Sequence, residues 1–191
     1  MFKVIAKTAL KTLLAAVIIL CVAFGVASLG FPASMAGFFE KCGNYSFATG
    51  YASLSYTYSG KVDDLARCLN DSIMAGNDGN TVHFGNMLLD NGGFNGYCAE
   101  NNGYRQFACG KIAAAKYRQG DKQNALLVAK SAFTEGGFPV GNALVELMIT
   151  AESDKDMLSA IKTEVGGIVP EDGEREYYEM VLDILNNSLL V

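Results

Sequence analysis

Four cysteines, Cys42, Cys68, Cys98 and Cys109, follow the first apolar block, and His83 is the single histidine. Thiols in an exported chain form disulfides, and four of them allow three pairings. Cys68 and Cys109, however, fall inside predicted helices, where a thiol serves as a small hydrophobe. Structural, unbridged cysteines are therefore the expectation. No CxxC occurs, so neither thiol exchange nor a closed zinc site has a motif to rest on. A lone histidine rules out a multi-histidine metal site. Within "NTVHFGNMLLD" its expected place is a partly buried or capping position rather than that of a catalytic base. The acidic run "EDGERE" (171–176) reads as a helix start, with carboxylates near its positive end. "NDGN" (77–80) lacks the twelve-residue calcium-loop pattern. Phosphate-loop, dinucleotide and nucleophile-elbow motifs do not occur. No catalytic residue, metal ligand or cofactor is assigned, and the chain is not expected to be an enzyme.

The elements that carry these residues begin with an address. "TLLAAVIILCVAFGVASLGFPASMAGFF" (12–39) has no charged side chain. A hydrocarbon core of ~30 Å takes about 20 apolar residues in a helix, which 13–32 supply. Lys3, Lys7 and Lys11 precede this block, while Glu40 and Lys41 cancel after it. The positive-inside rule then predicts a basic cytoplasmic N-terminus over 1–11, a transmembrane anchor over 12–32, and a body over 38–191 outside the cytoplasm of a single-pass membrane protein. The rival is a cleaved signal peptide and a secreted body, but a signal core of roughly 7–15 residues is shorter than this run. Cys21 follows Ile18-Ile19-Leu20 and lacks the small residue a lipidation site places before its cysteine. Without the three leading lysines, 12 Lys and Arg face 20 Asp and Glu, a net charge of −8. Such a body repels phosphate backbones, so nucleic acid is not an expected partner.

The body is punctuated by glycine clusters at 75–80, 90–93, 101–103, 135–137 and 166–173. Between them apolar residues recur at steps of three and four: Phe107, Ala108, Ile112 and Ala115 in one segment, Ala125, Val128, Ala129, Ala132 and Phe133 in the next. That is helical periodicity. "YASLSYTYSG" (51–60) has strand-like composition, yet its terminal glycine argues for a helix closing at Gly60. In 173–190, Tyr178, Val181, Leu182 and Leu185 are expected to face the core, and Glu174, Arg175, Glu179 and Asp183 the solvent.

Gly60 is followed by "KVDDLARCLNDSI" and Gly120 by "DKQNALLVAKSAF", with an apolar small or medium residue five after each glycine, Leu65 and Ala125, then Leu69 and Ser72 against Ala129 and Ala132 nine and twelve after it. Ala113 lies seven before Gly120, and Tyr56 four before Gly60. Here the chain resembles the tetratricopeptide repeat, a helix pair that turns at Gly-Asp and carries alanines in its second helix. The resemblance is fair over 104–133 and weaker over 46–75. Trp is absent, and Lys116 stands where the family prefers an aromatic. It implies an all-α body of antiparallel hairpins, with corners near Gly60, Gly92, Gly120 and Glu152, stacked as a short α-solenoid. It also implies a groove for a protein or peptide partner, lined by Phe47, Leu54 and Tyr58 and by Phe107, Ala114, Tyr117 and Arg118. The family's peptide-carboxylate clamp is not implied, because Gly50, Leu54 and Gly110 occupy its Lys and Asn places. The leading expectation is a membrane-anchored interaction module. The alternative is an enzyme or accessory subunit with a cryptic site built on paired carboxylates.

Overall fold

A computed structural model of the chain describes residues 2–132, 142–169 and 175–190. The described residues form eleven α-helices and no strand. They are α1 (Phe2–Gly30), α2 (Pro32–Lys41), α3 (Tyr45–Ser59), α4 (Val62–Met74), α5 (Asp78–Leu89), α6 (Phe94–Glu100), α7 (Tyr104–Arg118), α8 (Lys122–Ser131), α9 (Asn142–Thr150), α10 (Lys155–Gly166) and α11 (Arg175–Leu190). Phe133, the glycine break at 135–137, residues 170–173 of the break at 166–173, and Glu174 lie outside the described residues. Two compact units emerge, Met1–Asp71 and Ser72–Val191, whereas the sequence places its boundary between the apolar block and residue 38.

The helices are set by their junctions. At Gly43-Asn44, Gly76-Asn77 and Gly120-Asp121 the glycine is left-handed, with φ of 71°, 65° and 86°. The next amide reaches back five residues, to the carbonyls of Phe39, Ser72 and Lys116 at 2.8, 3.0 and 2.9 Å. The Asn or Asp side chain then accepts the amide of Phe47, Asn80 or Asn124. One dipeptide thus closes a helix and caps its successor, satisfying orphan carbonyls and amides together. "NDGN" is such a cap. Gly60, at φ 64°, closes α3, so the Tyr- and Ser-rich stretch is helical despite its composition.

In the first unit, α1 carries the long apolar stretch Lys11–Gly30, which meets the length and composition of a membrane span or signal sequence. The helix ends two residues before the predicted limit. Pro32, whose fixed φ suits a first helical turn, instead opens α2. The helices α2 and α3 pack on each other.

In the second unit α7 is central, packed on α5, α8 and α9. It is made of small residues: Ala108, Cys109, Gly110 and Ala113 to Ala115 are all buried. A β-carbon added at Gly110 would lie 3.0 Å from the Ala143 Cα of α9, and one at Gly85 of α5 only 2.4 Å from the Ile112 side chain. Ala113, Ala125 and Ala129 belong to the same buried cluster as Leu144, Leu147, Leu158 and Ile161, as their small size and spacing require. The last helix completes that cluster with Val181 and Leu185, flanked by Tyr178 and Leu182, and turns Arg175, Glu179 and Asp183 to solvent as expected.

Candidate functional site

Within the first unit α3 reverses the usual sorting. Its small residues Ala48, Thr49, Ala52 and Ser55 are buried. Phe47, Tyr51, Leu54 and Tyr58, spaced 4, 3 and 4 apart, form one outer stripe. Phe47 is 59% and Tyr58 62% exposed, while Tyr51 and Leu54 are half-buried. From α2, Phe39 stacks on Phe47 and Tyr51 at ring separations of 5.2 and 5.4 Å, with Phe38 set edge-on beside it. The Tyr51 hydroxyl meets Ser28 Oγ in the last turns of α1 at 2.9 Å. The three residues expected to line a groove in the first hairpin therefore share one face, and it continues toward α1.

A polar cluster sits on the same unit. The Nε of Arg67 donates to Glu40 and its Nη1 to the Ala33 carbonyl at 3.0 Å, so α4 is tied to α2. One turn beyond Arg67, Asp71 is only 4% exposed, and its Oδ2 has no hydrogen-bond partner. Burial, then the charge of Glu40, push its carboxyl up to about 7. The Arg67 guanidinium holds Glu40 below the usual carboxylate range. The arrangement sets a carboxyl raised to about 7, a carboxyl held low and a guanidinium in one cluster. Cys68 beside it is a poor nucleophile, its thiol pushed up to about 12 by burial and then by Asp71.

In the second unit the four expected groove residues part company. Phe107 is 41% exposed and continues an aromatic row with Tyr104 and Tyr97, at centroid separations of 5.8 and 5.0 Å. Ala114 is fully buried at 0% and has no surface to offer a ligand. Tyr117 packs on the core cluster, and its hydroxyl donates to Asp154 Oδ2 at 2.9 Å. Asp154 also caps α10 and pairs with Lys122; the Lys122 hydrogen bond first, then the capped amide, hold its carboxyl down at about 2. Arg118 grips Asp78 through two hydrogen bonds of 2.8 and 2.6 Å. Two of the four are thus engaged within the fold because long α7 side chains reach the first turns of neighbouring helices. His83 is exposed in mid-α5 with its ring on Phe84, neither buried nor capping as the sequence suggests.

Among the described residues no group of three or more His, Cys, Asp or Glu is placed to hold a metal ion. Comparison of the chain with protein-family models, with curated proteins and with solved structures finds no match. Sequence reasoning missed the Glu40–Arg67–Asp71 cluster, because Glu40 and Arg67 lie 27 residues apart and leave no local pattern. It also missed Phe38, Phe39 and Tyr51. The scarcity of charge from residue 32 to residue 59, where Glu40 and Lys41 stand alone, was a usable signal for them.

Proposed function

We propose that the chain is a membrane-anchored, extracytoplasmic interaction module. In this reading α1 crosses the membrane with its basic end in the cytoplasm, and the second unit is a tetratricopeptide-like stack that engages a protein or peptide. The observation that carries it is the α7 packing. Helices joined by small-residue contacts leave an open aromatic row, Tyr97, Tyr104 and Phe107, on a rigid support. Of the seven groove residues, Phe107 is the one this reading keeps for a partner in the second unit; Ala114, Tyr117 and Arg118 are structural.

The test is a photo-crosslinking residue placed at Phe107 or at Gln123 of the full chain in intact cells. One dominant protein adduct at 107, absent at 123 and lost to competition by the native chain, is the expected result. Equal labelling at both positions sinks the reading.

A second reading has a specific observation behind it. Glu40 and the raised Asp71 form the paired carboxylates an enzyme or accessory subunit would use. It predicts that Asp71→Asn abolishes a cellular phenotype that Phe107→Ala leaves intact. The interaction reading predicts the reverse.

A further inference from the structure

The stripe on α3 poses a physical problem. A helix that buries alanine and serine while presenting Phe47, Leu54 and Tyr58 leaves much of its most hydrophobic face exposed, since Phe39 covers only part of it. Exposed aromatic surface of this kind marks an interaction site rather than a free surface.

Three observations indicate what covers it. First, the face is continuous with α1: the apolar stretch ends at Gly30, and the bond between Tyr51 and Ser28 pins the middle of α3 to that end. Second, residues 32–59 carry only Glu40 and Lys41, and Glu40 is already held by Arg67. A surface meant for a water-facing protein partner normally has a charged rim, and this one has Lys41 alone. Third, the side chains are Phe and Tyr, with serines between, and four of the chain's 9 tyrosines fall in α3. Rings with an apolar body and a polar tip are the residues enriched at the boundary between acyl chains and headgroups.

Distances allow it. Helical rise is about 1.5 Å per residue, so Phe47 and Leu54 lie within about 6 Å of Tyr51 along the axis, whatever the tilt of α3. Interfacial helices bury their apolar faces roughly 5–10 Å into the boundary region. Phe47 and Leu54 fall inside that range. Tyr58, about 10 Å from Tyr51 along the axis, joins them once α3 lies down.

We propose that the aromatic face of α2 and α3 (Phe38, Phe39, Phe47, Tyr51, Leu54 and Tyr58) beds into the headgroup layer of the membrane that α1 crosses, with Lys41 directed at lipid phosphates. The lipid surface, not a peptide, is then the ligand of the three groove residues in this unit. The inference rests on the reading of α1 as a membrane span.

Because the chain contains no Trp, single tryptophans report position directly. Full-length Leu20→Trp, Phe47→Trp and Gln123→Trp proteins are reconstituted into mixed phosphatidylcholine and phosphatidylglycerol vesicles. The lipids are brominated either just below the headgroup or near the chain end. Leu20→Trp should lose most emission to the deep bromine. Phe47→Trp should be blue-shifted and lose most to the shallow bromine, and Gln123→Trp should respond to neither. If Phe47→Trp behaves like Gln123→Trp while Leu20→Trp is quenched, the anchor stands and this inference is wrong. A blue-shifted Phe47→Trp that neither bromine touches means that protein, such as a second copy of the chain, covers the face; that too overturns it. An unquenched Leu20→Trp removes the membrane span and the inference with it.

Discussion

The Asp71 carboxyl is raised to about 7 by its burial and then by the charge of Glu40, and that environment makes folding pH-dependent. A carboxyl raised from 3.8 to about 7 binds a proton in the folded state that the unfolded chain has already lost between those values. Stability from this group is therefore complete below about pH 4 and declines until about pH 7. Glu40 acts oppositely, since a depressed carboxyl loses its contribution as pH falls below its ordinary range. Asp71→Asn removes the first effect: urea melts at pH 5 and pH 8 should differ less than in the parent, with the variant gaining at pH 8. An unchanged pH slope would show that Asp71 is not the titrating group. Tyr117 offers a second residue-scale check. Tyr117→Phe keeps the ring on the core but drops the bond to Asp154, at a cost of about 0.5–1.5 kcal/mol. Asp154→Ala also removes the α10 cap, so about 0.5–2 kcal/mol is lost from that feature alone. A double-mutant cycle that finds the two substitutions additive would deny their contact.

Among the elements, glycines separate close packing from chain flexibility. Gly85→Ala gains up to about 1 kcal/mol of helix propensity but drives a methyl into Ile112, and overpacking costs about 1–3 kcal/mol. The net effect should be a lower melting temperature. Gly50 sits in α3 with open space around it, so Gly50→Ala should stabilise by about 0.5–1 kcal/mol. The same change with opposite signs at two mid-helix glycines is the readout; equal signs would refute the α5–α7 approach. Ala125→Leu, inside the buried cluster, should cost about 1–3 kcal/mol, against under about 0.5 for exposed Gln123→Leu. These elements also show what the sequence made legible. The corners at Gly60 and Gly120 are chemistry within half a dozen residues, so their types and spacing suffice. The stripe of α3 was readable too, because 47, 51, 54 and 58 follow helical spacing. Hydrophobicity alone would bury the aromatics; it was the repeat register that set Phe47, Leu54 and Tyr58 outward. Small residues win the inner place because they let α3 approach closely. Ala114 failed as a groove residue for a related reason: α7 is covered on several sides, which periodicity along one helix does not reveal.

On the scale of the whole molecule, the decisive question is which side of a membrane the helices beyond α1 occupy, and whether they stay attached to it. The apolar stretch Lys11–Gly30 is long and apolar enough to span, and a signal sequence near an N-terminus can be so as well. The helix continues unbroken from Phe2 to Gly30, and Tyr51 is bonded to Ser28 in its last turns. An epitope tag at the N-terminus and another at the C-terminus report both issues in one experiment. An anchored chain keeps both tags in the membrane fraction, resists carbonate extraction, and loses only the C-terminal tag when protease is added to intact cells. A cleaved signal gives a C-terminal tag in the medium without its N-terminal partner. A C-terminal tag that survives protease until the cells are lysed would place the body in the cytoplasm and reverse the orientation. The acidic body, at net −8 beyond the three leading lysines, gives the anchored outcome a further signature. Moving those lysines matters more than any change after residue 40, because orientation is set by Lys and Arg flanking the span rather than by acids. Replacing Lys3, Lys7 and Lys11 by Gln while adding three lysines after Lys41 should therefore expose the N-terminal tag to external protease in a large share of molecules.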